Sequence, residues 1–162
     1  MFLNKKLTSE QAYQKLKHFC GYQERCHQEV LEKIYNFGIY KSDADVLITQ
    51  LIEENYLNEE RFAIAFVGGK FRIKQWGKIK IEYELKQKRV SSYCIKKALK
   101  TIDEEDYLQT IQTLVLKKWD SLKGEQYLNR QAKTIAYLTQ KGFEHALINN
   151  AIQLIRNKEK DN

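Results

Sequence analysis

Residues 56–85, which read YLNEERFAIAFVGGKFRIKQWGKIKIEYEL, decide the fold class of this chain. Asn58 is a favourable N-cap residue, and Glu59 and Glu60 place negative charge in the first turn of a helix, where unpaired backbone N–H groups favour it. Leu57 and Phe62 occupy the two positions of a hydrophobic staple around that cap. A helix is therefore predicted to begin directly after Asn58.

The apolar residues that follow recur at helical spacing. Phe62, Phe66 and Ile73 are predicted to share one buried face of this helix. Gln75-Trp76-Gly77 interrupts the pattern, and a second helix is predicted from Lys78 to Lys88 with Ile81 and Leu85 on its apolar side. We expect Trp76 to be a core anchor where the two helices join.

Composition extends this helical interpretation to the whole chain. The 162 residues contain no proline and seven glycines, and 43% are hydrophobic. A core of ordinary size and an all-α fold follow from these values. No apolar run is long enough to cross a membrane. Met1-Phe2-Leu3-Asn4 does not begin a secretory leader, and three cysteines favour a reduced, cytoplasmic setting.

Helix boundaries are predicted along the rest of the chain from capping residues. Thr8 with Gln11 forms a capping box at the start of the first helix of the chain. Gly38 ends the next helix, and Ser42 caps the helix after it, with Val46 and Ile52 inward. Four later helices are predicted to start at Ser91 or Ser92, at the acidic run 103–106, after the loop 121–124 and after Gly142. Leu108 and Leu128 are predicted to face inward in the second and third of these helices. Residues from Asn157 onward are expected to form a frayed polar tail.

A repeat of about fifty residues is visible in the apolar positions. A shift of 53 residues superimposes two apolar sets: Leu85, Val90, Ile95, Ala98, Leu99 and Ile102 on Leu138, Phe143, Ile148, Ala151, Ile152 and Ile155. We predict an elongated array of three tandem three-helix repeats at 8–57, 58–103 and 104–157, with a polar tail at 158–162. The alternative is one irregular bundle of helices of similar length.

The residue types offer little for catalysis. His18, Cys20, Cys26 and His27 cluster in sequence, but their spacing matches no common zinc site. No phosphate-binding glycine loop is present, since Gly68-Gly69 falls inside a predicted helix. We expect a binding protein, with no catalytic residue, no metal and no cofactor.

Positive charge is concentrated in the middle of the chain. Residues 66–100 carry eleven cations and two carboxylates, a net charge of +9, so the remainder carries −2 of the total +7. Such a region attracts DNA phosphate or an acidic protein surface, although individual lysines can serve solubility alone. We assign the candidate partner- or DNA-binding surface to eight of these cations: Lys70, Arg72, Lys74, Lys78, Lys80, Lys88, Lys96 and Lys97.

The motif that crosses this region resembles the RecX family. Its residues are Tyr56, Leu57, Asn58, Arg61, Phe62, Trp76, Gly77, Ile81 and Leu85, followed by K88-R89-V90. Asn55, Gln75 and Arg89 stand where glycine is usual in the family. Because arginine is costly in a left-handed position, we expect the helix predicted from Lys78 to Lys88 to end differently here.

The resemblance implies a regulator that binds the RecA recombinase and RecA–DNA filaments, usually as an inhibitor. It places the protein in DNA repair, recombination and the SOS response; we expect a monomer. Two alternatives remain open: a nucleic-acid-binding helical module that acts without RecA, and a helical-repeat adaptor for another protein.

Overall fold

The structure is a computed structural model that describes residues 6–162; the expectation about a leader at Met1–Asn4 lies outside them. Nine α-helices and no strand form within the described residues: α1 (Ser9–Tyr22), α2 (His27–Asn36), α3 (Lys41–Glu53), α4 (Glu59–Arg72), α5 (Lys78–Gln87), α6 (Ser92–Leu99), α7 (Glu104–Ser121), α8 (Tyr127–Gln140) and α9 (His145–Asp161). The all-α fold is confirmed. None of these helices is long and apolar enough to cross a membrane.

Side-chain caps fix several helix starts. Thr8 and Gln11 form the predicted capping box of α1. Asn58 Oδ1 accepts a hydrogen bond from the Arg61 backbone N–H at 2.9 Å, and Asp103 caps α7 in the same way through Asp106. Each cap satisfies a backbone donor that the helix itself leaves unpaired.

Helices α2, α5 and α8 end with the same local geometry. Gly38, Arg89 and Gly142 have φ of 81°, 60° and 96°. The next residue in each case donates its backbone N–H to a carbonyl five residues earlier: Ile39 to Ile34, Val90 to Leu85 and Phe143 to Leu138, at 3.1–3.3 Å. These bonds are those of the Schellman C-cap, which closes a helix and turns the chain inward.

The described chain folds into two compact units. The first comprises the described residues up to Phe66 together with Leu85–Ala98. Its principal core lies among α1, α2 and α3, where Ala12, Leu16, Val30, Ile34, Leu47 and Leu51 are almost fully buried. Small and branched apolar residues at helical spacing therefore hold these three helices together.

The second unit comprises Val67–Glu84 and Leu99–Asn162. Its core contains three aromatic rings in contact, with Phe71 and Phe143 at 5.8 and 5.6 Å from the Tyr107 ring centroid. Ile111, Val115, Leu138 and Ile148 are buried in the same unit. Tyr107 is a large core residue that the sequence pattern alone did not single out.

Several residues predicted to face inward are exposed, so those predictions were wrong. Ile73 is 79% exposed because α4 ends one residue before it. Val46 and Ile52 are also exposed: α3 begins at Lys41 after Tyr40, with no side-chain cap from Ser42, and its buried face is Ala44, Leu47 and Leu51.

Two later helices show the same kind of error. Leu108 is exposed in α7, where Tyr107 and Ile111 face inward, and Leu128 is exposed in the first turn of α8, where Thr134 and Leu138 are buried. The frayed tail predicted from Asn157 onward was also wrong, because α9 continues to Asp161.

Candidate functional site

The eight candidate cations differ in exposure and belong to both compact units. Arg72, Lys74, Lys96 and Lys97 are exposed, whereas Lys70, Lys78, Lys80 and Lys88 are half-buried. The second unit holds the five from Lys70 to Lys80, and the first unit holds Lys88, Lys96 and Lys97. The candidate cations therefore form two groups, one in each unit.

Lys78 makes an ion pair, a ring contact and a backbone hydrogen bond within the second unit. Its Nζ lies 3.0 Å from Glu104 Oε1 and 4.5 Å from the centroid of the Tyr107 ring. Its backbone N–H donates to Tyr107 Oη at 3.0 Å, and that hydroxyl donates to the Glu144 carboxylate. Burial raises the pKa of Tyr107 above its usual value, and the nearby Glu144 carboxylate raises it further. Lys78 thus joins the start of α5 to α7.

Lys88 and Lys97 form ion pairs in the first unit. Lys88 Nζ lies 3.6 Å from Glu29 Oε1, and Lys97 Nζ lies 2.9 Å from Glu60 Oε1. The hydrogen bond to Glu60, and the charge of that carboxylate, raise the pKa of Lys97. The Lys97–Glu60 pair is the more exposed of the two, and an exposed pair holds its side chains loosely, so Lys97 can exchange partners.

Two lysines lie over the ring of Trp76 at the join of α4 and α5. Lys70 Nζ and Lys80 Nζ lie 4.8 and 4.3 Å from the centroid of the indole ring. The ring is only half-buried, so the expectation that Trp76 anchors the core was wrong. The faces of an indole attract ammonium groups, which explains why both lysines lie over it.

Gly77 allows a close backbone contact beside this tryptophan. Its N–H donates to the Lys141 carbonyl at 2.8 Å, and the Ile79 N–H donates to the Gly142 carbonyl at 3.0 Å. A Cβ on Gly77 would lie 2.3 Å from the Gly142 carbonyl carbon and oxygen. Only glycine fits at this crossing of the α4–α5 and α8–α9 joins.

Lys141 is a member of the second unit's cation group that the sequence pattern did not reveal. Its Nζ lies 3.4 Å from the Lys74 carbonyl oxygen, and both residues belong to the second unit. It is 67 residues from Lys74 in sequence, so no local charge count includes it. The repeat offered one signal, because Lys141 lies 53 residues after Lys88.

Arg61 connects three segments of the first unit. Its guanidinium donates to the Asn55 carbonyl at 3.0 Å and to the Asn55 side-chain oxygen at 3.1 Å, and it pairs with the Glu24 carboxylate. A planar group with five donors suits this branched arrangement better than an ammonium does. Its role is to hold the α3–α4 turn.

Nothing in the described part of the chain brings together three or more residues that could hold a metal ion. Cys20 and Cys26 are buried, and burial raises the pKa of both thiols to about 11. Thiols in this state are poor metal ligands and poor nucleophiles at neutral pH. The chemistry that the surface offers is exposed positive charge with one accessible indole.

Comparisons with known proteins identify the family. The family model described as the second three-helix domain of RecX matches residues 58–99, and the model of the third three-helix domain matches residues 104–152. Together they cover more than half of the chain. The chain belongs to the RecX family.

The relatives of this RecX-family chain carry the same name. It is 28% identical over 151 residues to the "Regulatory protein RecX" of Oceanobacillus iheyensis, covering 93% of this chain and 56% of that protein. It is 28% identical to the protein of that name from Chlorobium phaeobacteroides, covering 84% and 88% of the two chains. The chain thus spans little more than half the length of some relatives.

A crystal structure of RecX from Lactobacillus salivarius has the same fold. Its TM-score against this chain is 0.84 at 23% sequence identity, with 91% of this chain and 96% of that chain covered. The two RecX domain models match α4–α6 and α7–α9 of the present structure. This chain is therefore a RecX-type all-α helical repeat.

The RecX motif residues have mainly structural roles. Leu57, Phe62, Ile81 and Leu85 are buried, and Tyr56 is partly exposed. Asn55, Gln75 and Arg89, which replace the usual glycines, all have positive φ, of 64°, 55° and 60°. The expectation that α5 would end differently from the usual glycine-capped helix was wrong. Arg89 adopts the same left-handed conformation, which is strained for a residue with a side chain.

Proposed function

We propose that this chain binds RecA and RecA–DNA filaments in the cytoplasm and inhibits RecA in DNA repair and the SOS response. The activities affected are its recombinase, ATPase and co-protease activities. The observation that carries the proposal is the consecutive match of two RecX domains over residues 58–152. The protein acts by binding as a monomer, without a cofactor and without catalysing a reaction of its own.

The positive charge of the middle region supports a filament as the partner. A RecA–DNA filament presents nucleic-acid phosphate together with the surface of a protein assembly. Arg72, Lys74 and Lys96 are exposed, and none of the ion pairs within the described residues involves them. Exposed cations of this kind speed association with an oppositely charged partner and set its orientation.

A tandem arrangement of helical units gives the proposal a second physical basis. Repeat proteins bind partners over extended surfaces, and each contact raises the effective concentration at the next. We propose that the units at 8–57, 58–103 and 104–157 contact more than one RecA subunit. The effect on a filament then exceeds competition for a single site.

RecA-driven ATP hydrolysis on single-stranded DNA tests the proposal directly. We expect this protein, titrated at micromolar concentration into RecA from the same organism, to lower the steady-state rate of ATP hydrolysis. A rate that does not change over this range would contradict the proposal. The truncation of a unit is a poor variant here, because Tyr107 and Gly142 pack against the α4–α5 segment and their removal would expose its core.

A nucleic-acid-binding function without RecA is the second candidate, and the Trp76 site favours it. Lys70 and Lys80 lie over the half-buried indole, so this site places two phosphate-binding cations beside an aromatic ring. This candidate predicts DNA binding that weakens steeply with salt and no effect on RecA. A third candidate, an adaptor for another protein, predicts that RecA is absent from proteins captured with the full chain.

A further inference from the structure

We propose that a groove between α1 and α2 is a binding site for an acidic peptide segment that carries an apolar anchor residue. The groove has a volume of about 490 Å³ and lies entirely within the first compact unit. It is lined by three cations and three aromatic residues: Lys15, Arg25, Lys33, Phe19, Tyr22 and Phe37. Neither matched RecX domain includes these residues, and none belongs to the candidate surface around residues 70–97.

The charge of the lining selects an anionic ligand. None of the described residues that line the groove is a carboxylate, so three positive charges face it without an acidic neighbour in the wall. Glu29 lies outside the wall, 3.9 Å from the Arg25 guanidinium, and it also pairs with Lys88. The positive charge within the groove is therefore only partly compensated, and an acidic ligand complements it.

Arg25 is a fixed cation at the base of this groove. Its guanidinium lies 3.7 Å from the centroid of the Phe19 ring, and its Nε donates to the Phe19 carbonyl at 3.0 Å. Only 14% of the side chain is exposed. A cation held in this way loses little conformational entropy when it binds a carboxylate, which favours recognition over nonspecific attraction.

The apolar part of the lining suits an anchor side chain. Phe19 and Phe37 pack against the core of the first unit, and Tyr22 is 79% exposed at the rim. A cavity of this volume accommodates a leucine or an aromatic side chain of a partner. Apolar rings interleaved with cations suit a peptide with one apolar residue and flanking carboxylates.

The same rings argue against single-stranded nucleic acid as the ligand. Nucleic-acid sites need open ring faces on which bases stack. Arg25 covers one face of Phe19, and Lys33 Nζ lies 5.4 and 5.7 Å from the Phe19 and Phe37 centroids. These cations lie over the ring faces that stacked bases would need, and their charge suits the carboxylates of a peptide, so the observations favour a peptide.

Fluorescence anisotropy with a defined probe tests this proposal without RecA. The probe is a short fluorescein-labelled peptide of aspartates and glutamates around one central leucine, compared with the same peptide carrying serine at the centre and with labelled oligothymidine. We expect the leucine peptide to bind the full-length protein at micromolar concentration. The serine peptide should bind about tenfold more weakly, because it has no apolar residue to pack against the rings of the lining.

Variants of the full chain localise the binding. The double substitution Lys15→Glu and Lys33→Glu should weaken peptide binding by about tenfold or more. The matched double substitution Lys123→Glu and Lys158→Glu makes the same charge change at exposed residues of the second unit, and should alter binding by less than about twofold. Tyr22→Ala, at an exposed residue, should also weaken peptide binding and tests the site if the double variant fails to fold.

Two results would overturn the proposal. Equal loss of peptide binding in the two double variants would mean that net charge alone attracts the probe. A larger loss for oligothymidine than for the peptide in the groove variants would identify the groove as a nucleic-acid site. No arm of the experiment contains RecA, so a failure to bind the peptide leaves the proposed regulation of RecA unaffected. A failure to inhibit RecA likewise leaves the proposed peptide site unaffected.

Discussion

At the scale of single residues, the most demanding position is Gly77. Its Cα lies so close to the Gly142 carbonyl group that any side chain would collide with backbone atoms, which cannot move aside as a flexible side chain can. We expect Gly77→Ala to lower the free energy of unfolding by about 3 kcal/mol, as overpacking against fixed atoms does. Urea denaturation followed by circular dichroism measures this difference.

Gly69→Ala is the matched control for that substitution. Gly69 lies within α4, where a Cβ would meet no atom within 4 Å beyond its chain neighbours and the backbone of its own helix, and alanine is the better helix former. The control should therefore raise the free energy of unfolding by up to about 1 kcal/mol. If both alanines had the same effect, the close contact at Gly77 would not be a constraint on the fold.

Arg89 gives a second prediction at the residue scale. Its φ of 60° is strained for a residue with a side chain. Arg89→Gly should therefore stabilise the protein by about 1 kcal/mol, the cost of left-handed backbone for such a residue. Gln87→Gly, in the last turn of α5, should instead destabilise it, because a helical glycine is unfavourable. Thermal unfolding of the two variants compares them; a lower midpoint for Arg89→Gly than for the unmodified protein would contradict this explanation.

At the scale of helices, Arg61 holds the entry to α4. The guanidinium binds the Asn55 backbone and side chain and pairs with Glu24, whose other carboxylate oxygen is buried without a hydrogen-bond partner among the described residues. Arg61→Lys retains the charge but loses the forked geometry, so we expect a loss of about 1–2 kcal/mol in the free energy of unfolding.

The control for this substitution is Arg72→Lys, which makes the same chemical change at an exposed residue. It should change the free energy of unfolding by less than about 0.5 kcal/mol. Chemical denaturation of the two lysine variants side by side distinguishes the roles. Equal stabilities would show that Arg61 contributes only its charge.

The helices themselves were largely predictable from the sequence, and their faces were less so. Caps are local signals, because a side chain bonds to a backbone group three residues away, and the predicted caps at Thr8 and Asn58 were confirmed. The acidic run predicted to start a helix does so, with Asp103 as its cap. Burial of Val46 was predicted wrongly because apolar residues occur on more than one side of α3, and the side that packs inward is that of Ala44, Leu47 and Leu51. The exposed side chains of Ile73 and Leu128 show the same limit at helix ends.

The candidate surface was predictable in composition and not in arrangement. The sequence located the cations, since charge is read directly from residue types. It did not show that Lys78 pairs with Glu104, that Lys70 and Lys80 cover Trp76, or that Lys141 joins the group. The contacts of Lys78 with Glu104 and of Lys141 with Lys74 join residues that are distant in sequence, and only the packing of the helices brings them together.

At the scale of the whole molecule, the exposed cations provide a test of how the protein meets its partner. Arg72, Lys74 and Lys96 are exposed, and replacing all three with glutamate should leave thermal unfolding nearly unchanged. Inhibition of RecA should nevertheless weaken by about tenfold, because attraction to phosphate or acidic protein becomes repulsion. The matched control reverses Lys117, Lys123 and Lys158, which are also exposed. Loss of folding in the first variant would make those residues structural instead.

The most direct measurement for the proposed function is the length of RecA filaments on single-stranded DNA, imaged by electron microscopy at increasing concentrations of this protein. We predict shorter filaments with the unmodified protein, similar shortening with the control variant, and filaments close to full length with the Arg72, Lys74 and Lys96 reversal. Filament lengths that do not change with the unmodified protein at micromolar concentration would contradict the proposed function.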